Sequence, residues 1–264
     1  MLINEHTGNL TPLDSKYLVR KLTHTYPAIS TNKVLLVPYE ESHVITYHEW
    51  MKDEEIQKAT ASEPLSLAEE YAMQRTWRTD ADKLTFIICA PAAEELGAVH
   101  AQSHRDGVSV SVAKGVADAP GNMVGDVNLF LAEDGNEEGG VVGEIEIMIA
   151  EAGARGKGLG RAATLAFVEY LRRHWEEILK EYRFGVGGGT EEGITKSLRL
   201  RVKIGGKNLA SIGLFESIGF VRVGKGENYF GEVELVFQGW SGEERVGGLM
   251  RRFGVEGWRE CVYG

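Results

Sequence analysis

The sequence predicts an α/β (α+β) fold, in which one mixed β-sheet carries helices on both faces. Short apolar runs that end at turn residues, such as 34–37 and 84–89, have the length and composition of strands. Longer segments, such as 162–180, place apolar residues at helical spacing. In chain order the elements are β, α, α, β, β, β, α, β, α, β and β. This order implies one mixed sheet that is covered on both faces.

Each element has a local signal. The run 34–37 ends at Pro38, as expected for a strand, and Ser42 can cap the helix that follows. Ser66 and Glu69 form a capping box, which predicts the start of a second helix. The other predicted elements are strands at 84–89, 123–132, 141–150, 198–204, 220–223 and 229–237, and helices at 162–180 and 208–219.

The ends of the chain and two internal segments lack strong patterns. Residues 1–32 are polar with weak periodicity, so we expect an amino-terminal arm. The glycine-rich carboxy-terminal tail, 239–264, is expected to be loosely held. A glycine cluster at 185–189 predicts a flexible loop. Insertions are expected at 90–119, which is rich in turn residues, and at 183–195.

Composition argues against several classes of protein. The 264 residues carry 29 Lys and Arg against 39 Asp and Glu, a net charge of −10, which argues against a broad nucleic-acid interface. Cys89 and Cys261 can form neither a disulfide framework nor, alone, a metal cage. The amino terminus lacks signal-peptide features, and no apolar run reaches the roughly 18 residues of a membrane span. We therefore expect a cytoplasmic protein with no metal, nucleic-acid or membrane partner, and the oligomeric state stays open.

A glycine-rich segment, Arg155-Gly156-Lys157-Gly158-Leu159-Gly160, carries the strongest chemical signal. It follows a predicted strand and opens the long predicted helix. Several backbone N–H groups at such a helix start point at one spot, and the helix dipole adds positive potential there. Arg155 and Lys157 add charge at the rim. The segment therefore predicts a cradle for an anion, best suited to a pyrophosphate.

Three ligand classes fit this cradle to different degrees. A P-loop requires Gly-Lys-Ser/Thr at a fixed distance from a first glycine. Here the spacing from Gly153 is wrong, and Gly158 replaces the Ser or Thr that would supply the hydroxyl. Residues 158–163 match a dinucleotide fingerprint, but the preceding strand ends several residues too early. A coenzyme A pyrophosphate loop, Gln/Arg-x-x-Gly-x-Gly/Ala, is matched fully by Arg155, Gly158 and Gly160. A glycine-rich turn without a ligand stays open as a fourth interpretation.

At this point the sequence resembles the GCN5-related N-acetyltransferase (GNAT) superfamily. Residues 144–171 are similar to its central acetyl-coenzyme A motif. Residues 204–220, which contain Asn208-Leu209-Ala210-Ser211-Ile212 and end in Gly219-Phe220, are similar to its second signature. Within the superfamily the chain resembles the N-acetyltransferase 9-like proteins, through segments 47–52, 60–65, 70–73, 124–131 and 143–146.

The resemblance implies an N-acetyltransferase domain over residues 33–238. It implies the acyl-CoA N-acyltransferase fold, with a mostly antiparallel central sheet of about seven strands that is splayed in the middle. The implied donor is acetyl-coenzyme A (acetyl-CoA). The implied acceptor is a protein or peptide amine, either an N-terminal α-amine or a lysine, which attacks the thioester directly. Two alternatives are a weakly catalytic or non-catalytic acetyl-CoA-binding protein with cytoskeletal partners, and a nucleotide-dependent oxidoreductase.

Two glutamates supply the candidate general base. Glu144 and Glu146 lie two residues apart on a predicted strand, so both share a face with Met148. Two carboxylates on one face of a central strand indicate that this face lines a cleft. In the superfamily a glutamate on this strand often acts as the general base, and we favour Glu144 over Glu146. The alternative is that either glutamate pairs with Arg199 or Arg201 on the neighbouring strand.

The resemblance also implies the residues that bind the donor. Backbone groups at the end of the glutamate strand would hold the pantetheine arm. Asn208 would contact that arm or only cap its helix, and Ser211 could meet the thiol or a water. Many relatives have a tyrosine acid where this chain has Phe215, so Ser211, Tyr229 or water would have to substitute. The predicted catalytic residues are Glu144, Glu146 and Ser211, and the predicted donor-binding residues are Met148, Ile149, Ala150, Arg155, Gly156, Lys157, Gly158, Leu159, Gly160, Asn208 and Ser211.

Overall fold

Eleven β-strands form one sheet in the residues that the computed structural model describes, which are 27–91, 99–104, 107–135, 140–187, 198–224 and 226–264. The strands are β1 (Ala28–Ser30), β2 (Leu35–Pro38), β3 (Lys83–Cys89), β4 (Val99–His104), β5 (Gly107–Val112), β6 (Met123–Glu133), β7 (Val141–Ile149), β8 (Leu198–Gly205), β9 (Val221–Val223), β10 (Glu232–Phe237) and β11 (Arg259–Tyr263). Their order across the sheet is β4-β5-β11-β1-β2-β3-β6-β7-β8-β10-β9.

The sheet is mixed and mostly antiparallel, which confirms the predicted fold class. The pairs β5–β11 and β7–β8 run parallel, and the other neighbouring strands run antiparallel. The sheet is wider than the expected seven strands because β1, β4, β5 and β11 extend it on one side.

Six α-helices occur in the described part of the chain. They are α1 (Val44–Trp50), α2 (Glu54–Thr60), α3 (Leu67–Thr79), α4 (Leu159–Gly187), α5 (Leu209–Ser217) and α6 (Glu243–Arg252). Helix α3 begins at the predicted capping box, where the Ser66 hydroxyl accepts from the Glu69 N–H and the Glu69 carboxylate accepts from the Ser66 N–H. None of the helices described is both long enough and apolar enough to cross a bilayer.

Helices cover both faces of the sheet, as predicted. Helices α4, α5 and α6 pack on one face, in a core that includes Ile145 on β7. Helices α1, α2 and α3 pack on the other face, in a core that includes Ile87 on β3 and Met148 on β7. Because side chains alternate along a strand, Glu144 and Glu146 lie on the face of α1–α3.

The carboxy-terminal segment is not loosely held, so that expectation was wrong. Helix α6 buries Val246 and Met250 in the same core as α4. Strand β11 pairs antiparallel with β1, with Cys261 opposite Ala28. Strand β1 of the predicted arm and strand β11 of the predicted tail therefore lie side by side in the sheet. Residues 1–26 of the arm lie outside the described residues, and the domain bounds 33–238 stay a prediction.

The predicted insertions contain regular structure where they are described. Residues 90–119 include the β4–β5 hairpin, although 92–98 and 105–106 lie outside the described residues. The predicted glycine loop begins inside α4, which extends to Gly187, and 188–197 are not described. A Cβ at Gly185 would meet the Ala81 Cβ at 2.2 Å, so glycine permits this close approach. Helix α2, which was not predicted, begins after Asp53, whose carboxylate caps its first turn.

Candidate active site

The sheet opens between β7 and β8. These parallel strands pair over four rows, and the last row joins Glu144 with Arg201. Beyond it, β7 continues to Ile149 along β6, and β8 continues to Gly205 along β10. No pairing between β7 and β8 occurs among these described residues past that row. The two strands therefore stop pairing past this row, as the splay of the predicted fold requires, and we call the opening between them the cleft.

The glycine-rich loop lies at the end of β7 and leads into α4. Gly156 and Gly158 have left-handed backbone angles (φ of 72° and 81°), which glycine adopts without strain. A Cβ at either residue would meet no atom within 4 Å, so this side of the loop is open. A Cβ at Gly160, by contrast, would come within 3.0 Å of the Leu214 side chain. This glycine therefore allows α4 and α5 to approach closely.

Backbone N–H groups at the start of α4 are available to an anion. The Ala162 N–H donates to the Gly158 carbonyl at 3.0 Å. The N–H groups of residues 159–161 precede this bond and have no acceptor inside the helix. The first turn carries no acidic side chain, and Lys157 and Arg161 add positive charge. These features fit the predicted pyrophosphate.

Arg155 ties the loop to the end of β7. Its Nε donates to the Ile149 carbonyl and its Nη2 donates to the Ala150 carbonyl, both at 2.8 Å. The Ala150 N–H donates to the Val124 carbonyl at 2.9 Å. These backbone groups are among the predicted partners of the pantetheine arm. They are engaged inside the chain, so a donor substrate would have to compete for them.

Glu144 is held in ion pairs. Its Oε2 lies 2.8 Å from Arg201 Nη2 and 3.1 Å from Lys203 Nζ. The Glu144–Arg201 pair is one of the two pairings given above as the alternative to a role as general base. The other candidate, Arg199, pairs with Asp134 at 2.8 Å. The charge of Glu144 is therefore compensated inside the protein.

Glu146 shares that face but has a different environment. No Lys, Arg or His in the described part of the chain lies within ion-pair distance of its carboxylate. Neighbouring residues remove part of the hydration of its carboxylate, and this desolvation, together with the negative charges of Glu144 and Asp126, raises the pKa of Glu146 to about 7. The Lys203 charge opposes the shift, and the solvent that still reaches the exposed side chain moderates it.

A row of buried polar residues that the sequence analysis did not identify lies beside Glu146. Asn128 on β6 is opposite Glu146, and Thr85 on β3 is opposite Asn128. Asn128 Nδ2 donates to Asp126 Oδ2 at 2.7 Å, and the Tyr47 hydroxyl donates to the same oxygen at 3.4 Å. Burial raises the pKa of Asp126 to about 6. The signal was present in the sequence, because Asp126 and Asn128 have the same two-residue spacing as the two glutamates.

Asn208 and Ser211 form the amino-terminal cap of α5. The Asn208 Oδ1 accepts a hydrogen bond from the Ser211 N–H at 3.1 Å, so the capping role predicted for Asn208 is observed. Phe215 is buried and packs edge-on against Phe220, with ring centroids 5.0 Å apart. Tyr229, a candidate substitute acid, is 97% exposed.

Comparison with known proteins agrees with this geometry. Residues 33–221 match the family model described as an acetyltransferase (GNAT) domain. The chain belongs to the GNAT acetyltransferase family. An N-acetyltransferase 9-like protein of Schizosaccharomyces pombe is 38% identical over 231 residues, which cover 78% of this chain and 94% of the relative. The Homo sapiens protein named alpha/beta-tubulin-N-acetyltransferase 9 is 43% identical over 204 residues, which cover 77% of this chain and 79% of the relative.

A solved structure supports the same GNAT fold. A Bordetella pertussis protein named as a GNAT-family acetyltransferase aligns with a TM-score of 0.50 at 15% identity, covering 80% of this chain and 98% of the other. The sequence resemblance is thus confirmed, and the chain is an acetyl-CoA-dependent N-acetyltransferase. The matched region contains the cleft, the glycine-rich loop and both glutamates, whereas α6 and β11 lie beyond it. The roles of the individual site residues stay predictions.

Proposed function

We propose that this GNAT enzyme acetylates the α-amine of a protein N-terminus, with acetyl-CoA as donor and Glu146 as general base. The observation that carries the proposal is the position of Glu146, two residues past the last row that pairs β7 with β8, with no cation within ion-pair distance in the described part of the chain. A pKa raised to about 7 is consistent with this position. The strand that bears Glu146 leads, through a short turn at Ala152–Ala154, into the glycine-rich loop at 155–160. One continuous segment therefore provides both the base and the predicted donor site.

The pKa values of the acceptors favour an α-amine over a lysine, two acceptors between which the sequence could not decide. An amine must lose its proton before it attacks, and transfer to a base is efficient when the two pKa values are close. An α-amine has a pKa of about 7.7–8.0, whereas a lysine has a pKa of about 10.4. Glu146, at about 7, is within about one unit of the first and more than three units below the second.

Glu144, which the sequence favoured as the base, has a supporting role in this proposal. Its ion pairs with Arg201 and Lys203 hold it away from an incoming amine. Its negative charge is one of the causes of the raised pKa of Glu146. In this proposal Glu146 accepts the proton, and the negative charge of Glu144 keeps the pKa of Glu146 high enough for it to do so.

The donor site consists of the open loop and the start of α4. Backbone N–H groups of residues 156–161 and the Lys157 ammonium would hold the pyrophosphate of acetyl-CoA. When bound, acetyl-CoA supplies the thioester carbon that the amine nitrogen attacks, and coenzyme A leaves as a thiolate. Phe215 cannot protonate that thiolate. Glu146 takes the first proton of the ammonium before attack and releases it to solvent. The second proton leaves the nitrogen as the amide forms and can neutralise the thiolate, which is a good leaving group because its thiol has a pKa near 8.5.

Release of free coenzyme A thiol tests the proposal. Purified protein is mixed with acetyl-CoA and a panel of peptides with free α-amines, and with matched peptides that have a blocked amino terminus and one lysine. Because one relative is named for tubulin, the panel includes the amino-terminal peptides of α- and β-tubulin. We expect release with α-amine peptides and little release with the lysine peptides.

Glu146→Gln is the decisive variant. It should lower kcat by about 100-fold to 10,000-fold, the usual contribution of a general base, while acetyl-CoA binding by calorimetry stays unchanged. Glu216→Gln, which removes an exposed carboxylate on α5, is the matched control and should keep full activity. Acetyl-CoA binding without thiol release from the wild type would favour the alternative of a non-catalytic binding protein.

A further inference from the structure

Asn128 has an unpartnered amide oxygen beside the proposed base. It lies directly opposite Glu146 in the β6–β7 register, and such neighbours share a face with Cβ atoms about 5 Å apart. The Asn128 side chain is 5% exposed. Its Oδ1 has no hydrogen-bond partner in the part of the chain that is described. Buried carbonyl oxygens are nearly always satisfied, so this oxygen calls for an explanation.

Asp126 determines which end of the Asn128 amide stays free for a neighbouring donor. Asn128 Nδ2 donates to Asp126 Oδ2 at 2.7 Å, and the Tyr47 hydroxyl donates to the same atom. Asp126 is itself buried, with 2% exposure. An ionised carboxylate can only accept hydrogen bonds, so the amide nitrogen has to point at Asp126. The amide oxygen is thereby turned away from Asp126 and left for another donor.

We infer that Asp126 holds Asn128 so that its amide oxygen accepts a hydrogen bond from the protonated form of Glu146. The inference rests on the proposed role of Glu146 as base. Ionised Glu146 has no proton to donate, so only its protonated form can be the donor that this oxygen lacks. When the amine nitrogen gives its proton to a Glu146 oxygen, the new O–H becomes the missing donor. Asn128 is therefore a positioning residue that acts through the base.

The arrangement supports proton uptake by Glu146. A hydrogen bond to the neutral carboxyl stabilises it and raises its pKa, whereas an amide nitrogen in the same place would stabilise the carboxylate and lower its pKa. The charged groups that face Glu146 are Glu144 on its own strand, Asp126 on β6, Lys203 on β8 and Glu232 on β10. Asn128 adds an uncharged acceptor to this set.

Asn128→Thr tests the inference. The threonine hydroxyl can still donate to Asp126, but it offers no amide oxygen to Glu146. Glu146 is titrated in the intact protein by carbon-13 NMR of selectively labelled glutamate carboxyls, and its signal is assigned by its loss in Glu146→Gln. We expect the midpoint to fall by about half a unit to one unit, the size of one hydrogen bond. The acid limb of kcat/KM should move by the same amount.

Thr85→Val is the matched control. Thr85 is opposite Asn128 on the side away from β7, and its buried Oγ1 also lacks a partner among the described residues. Removing this hydroxyl should leave the midpoint of Glu146 unchanged. Should Asn128→Thr not fold, Asn128→Leu is titrated in its place, with the same downward shift expected.

Two results would overturn the inference. One is an unchanged or raised Glu146 midpoint in a folded Asn128 variant, and the other is an equal shift in Thr85→Val. The NMR titration does not depend on turnover. If the wild type releases no thiol but the Glu146 midpoint still falls in Asn128→Thr, the proposed function is refuted and the Asn128–Glu146 hydrogen bond remains supported.

Discussion

Replacing Glu144 by glutamine tests the division of roles between the two glutamates. The substitution removes a negative charge that raises the pKa of Glu146. It also releases Arg201 and Lys203, which pair with Glu144 at 2.8 and 3.1 Å. Both changes favour the ionised form of Glu146, so its pKa should fall. We therefore expect the acid limb of kcat/KM to move to lower pH, with the plateau at high pH unchanged.

The size of the shift follows from the strand geometry. Two residues along a strand span about 7 Å, at about 3.3 Å per residue. At an effective dielectric constant of about 20, two like charges at that distance repel by about 2.4 kcal/mol, or about 1.7 pKa units. The exposure of Glu146 and the ion pairs of Glu144 screen about half of this repulsion. The pKa of Glu146 should therefore fall by about one unit from its value of about 7.

Thiol release measured between about pH 5 and pH 9 checks this prediction. At pH 6 the variant should have about five times more ionised Glu146 than the wild type, so it should be about fivefold faster there. A loss of about 100-fold or more at every pH would instead identify Glu144 as the base and refute our assignment. Glu216→Gln again serves as the control, and its acid limb should coincide with that of the wild type.

Three further predictions concern stability, measured by urea unfolding. Gly125→Ala should cost about 1–3 kcal/mol or more, because its Cβ would lie 1.9 Å from the Met148 carbonyl oxygen and force β6 from β7; an unchanged midpoint would contradict this. Tyr263→Phe should cost about 1.5–3 kcal/mol, because the Tyr263 hydroxyl donates to the buried Asp118 carboxylate. Desolvation opposes the protonation of His174, but hydrogen bonds to two glutamates outweigh it and raise its pKa above 6.5. The contribution of His174 to the free energy of unfolding should be complete below about pH 6.5 and disappear as pH rises through the folded-state pKa. His174→Gln should abolish this pH dependence.

The central part of the fold could be predicted because its signals are local. The capping box of Ser66 and Glu69 and the strand–loop–helix unit around Gly158 each depend on residues that are close in sequence. Strands β1 and β11 could not be predicted in the same way. Strand β1 has three residues, and it is stabilised by pairing with β11 at the other end of the chain. Helix α6 contains Gly247 and Gly248, which weaken its local helix signal, but packing against α4 supports it.

The candidate site shows the same limit. Alternation along a strand was enough to place Glu144 and Glu146 on one face, but it could not distinguish them. The distinction depends on where Arg201 and Lys203 lie on β8, which is a matter of register between strands that are distant in sequence. Asp126 was overlooked for a simpler reason, since residues 124–131 were interpreted only as part of a strand and of the family resemblance.

The divergence of β7 and β8 explains both the cleft and the different environments of the two glutamates. Glu144 lies in the last paired row, opposite Arg201. Had the strands stayed paired for two more residues, Glu146 would have come opposite Lys203 and acquired a cation of its own. Because they separate, the Lys203 ammonium instead contacts Glu144 at 3.1 Å, and Glu146 is left among negative neighbours. The geometry that makes room for a thioester therefore also leaves, at the edge of that opening, a carboxylate that can take up a proton near neutral pH.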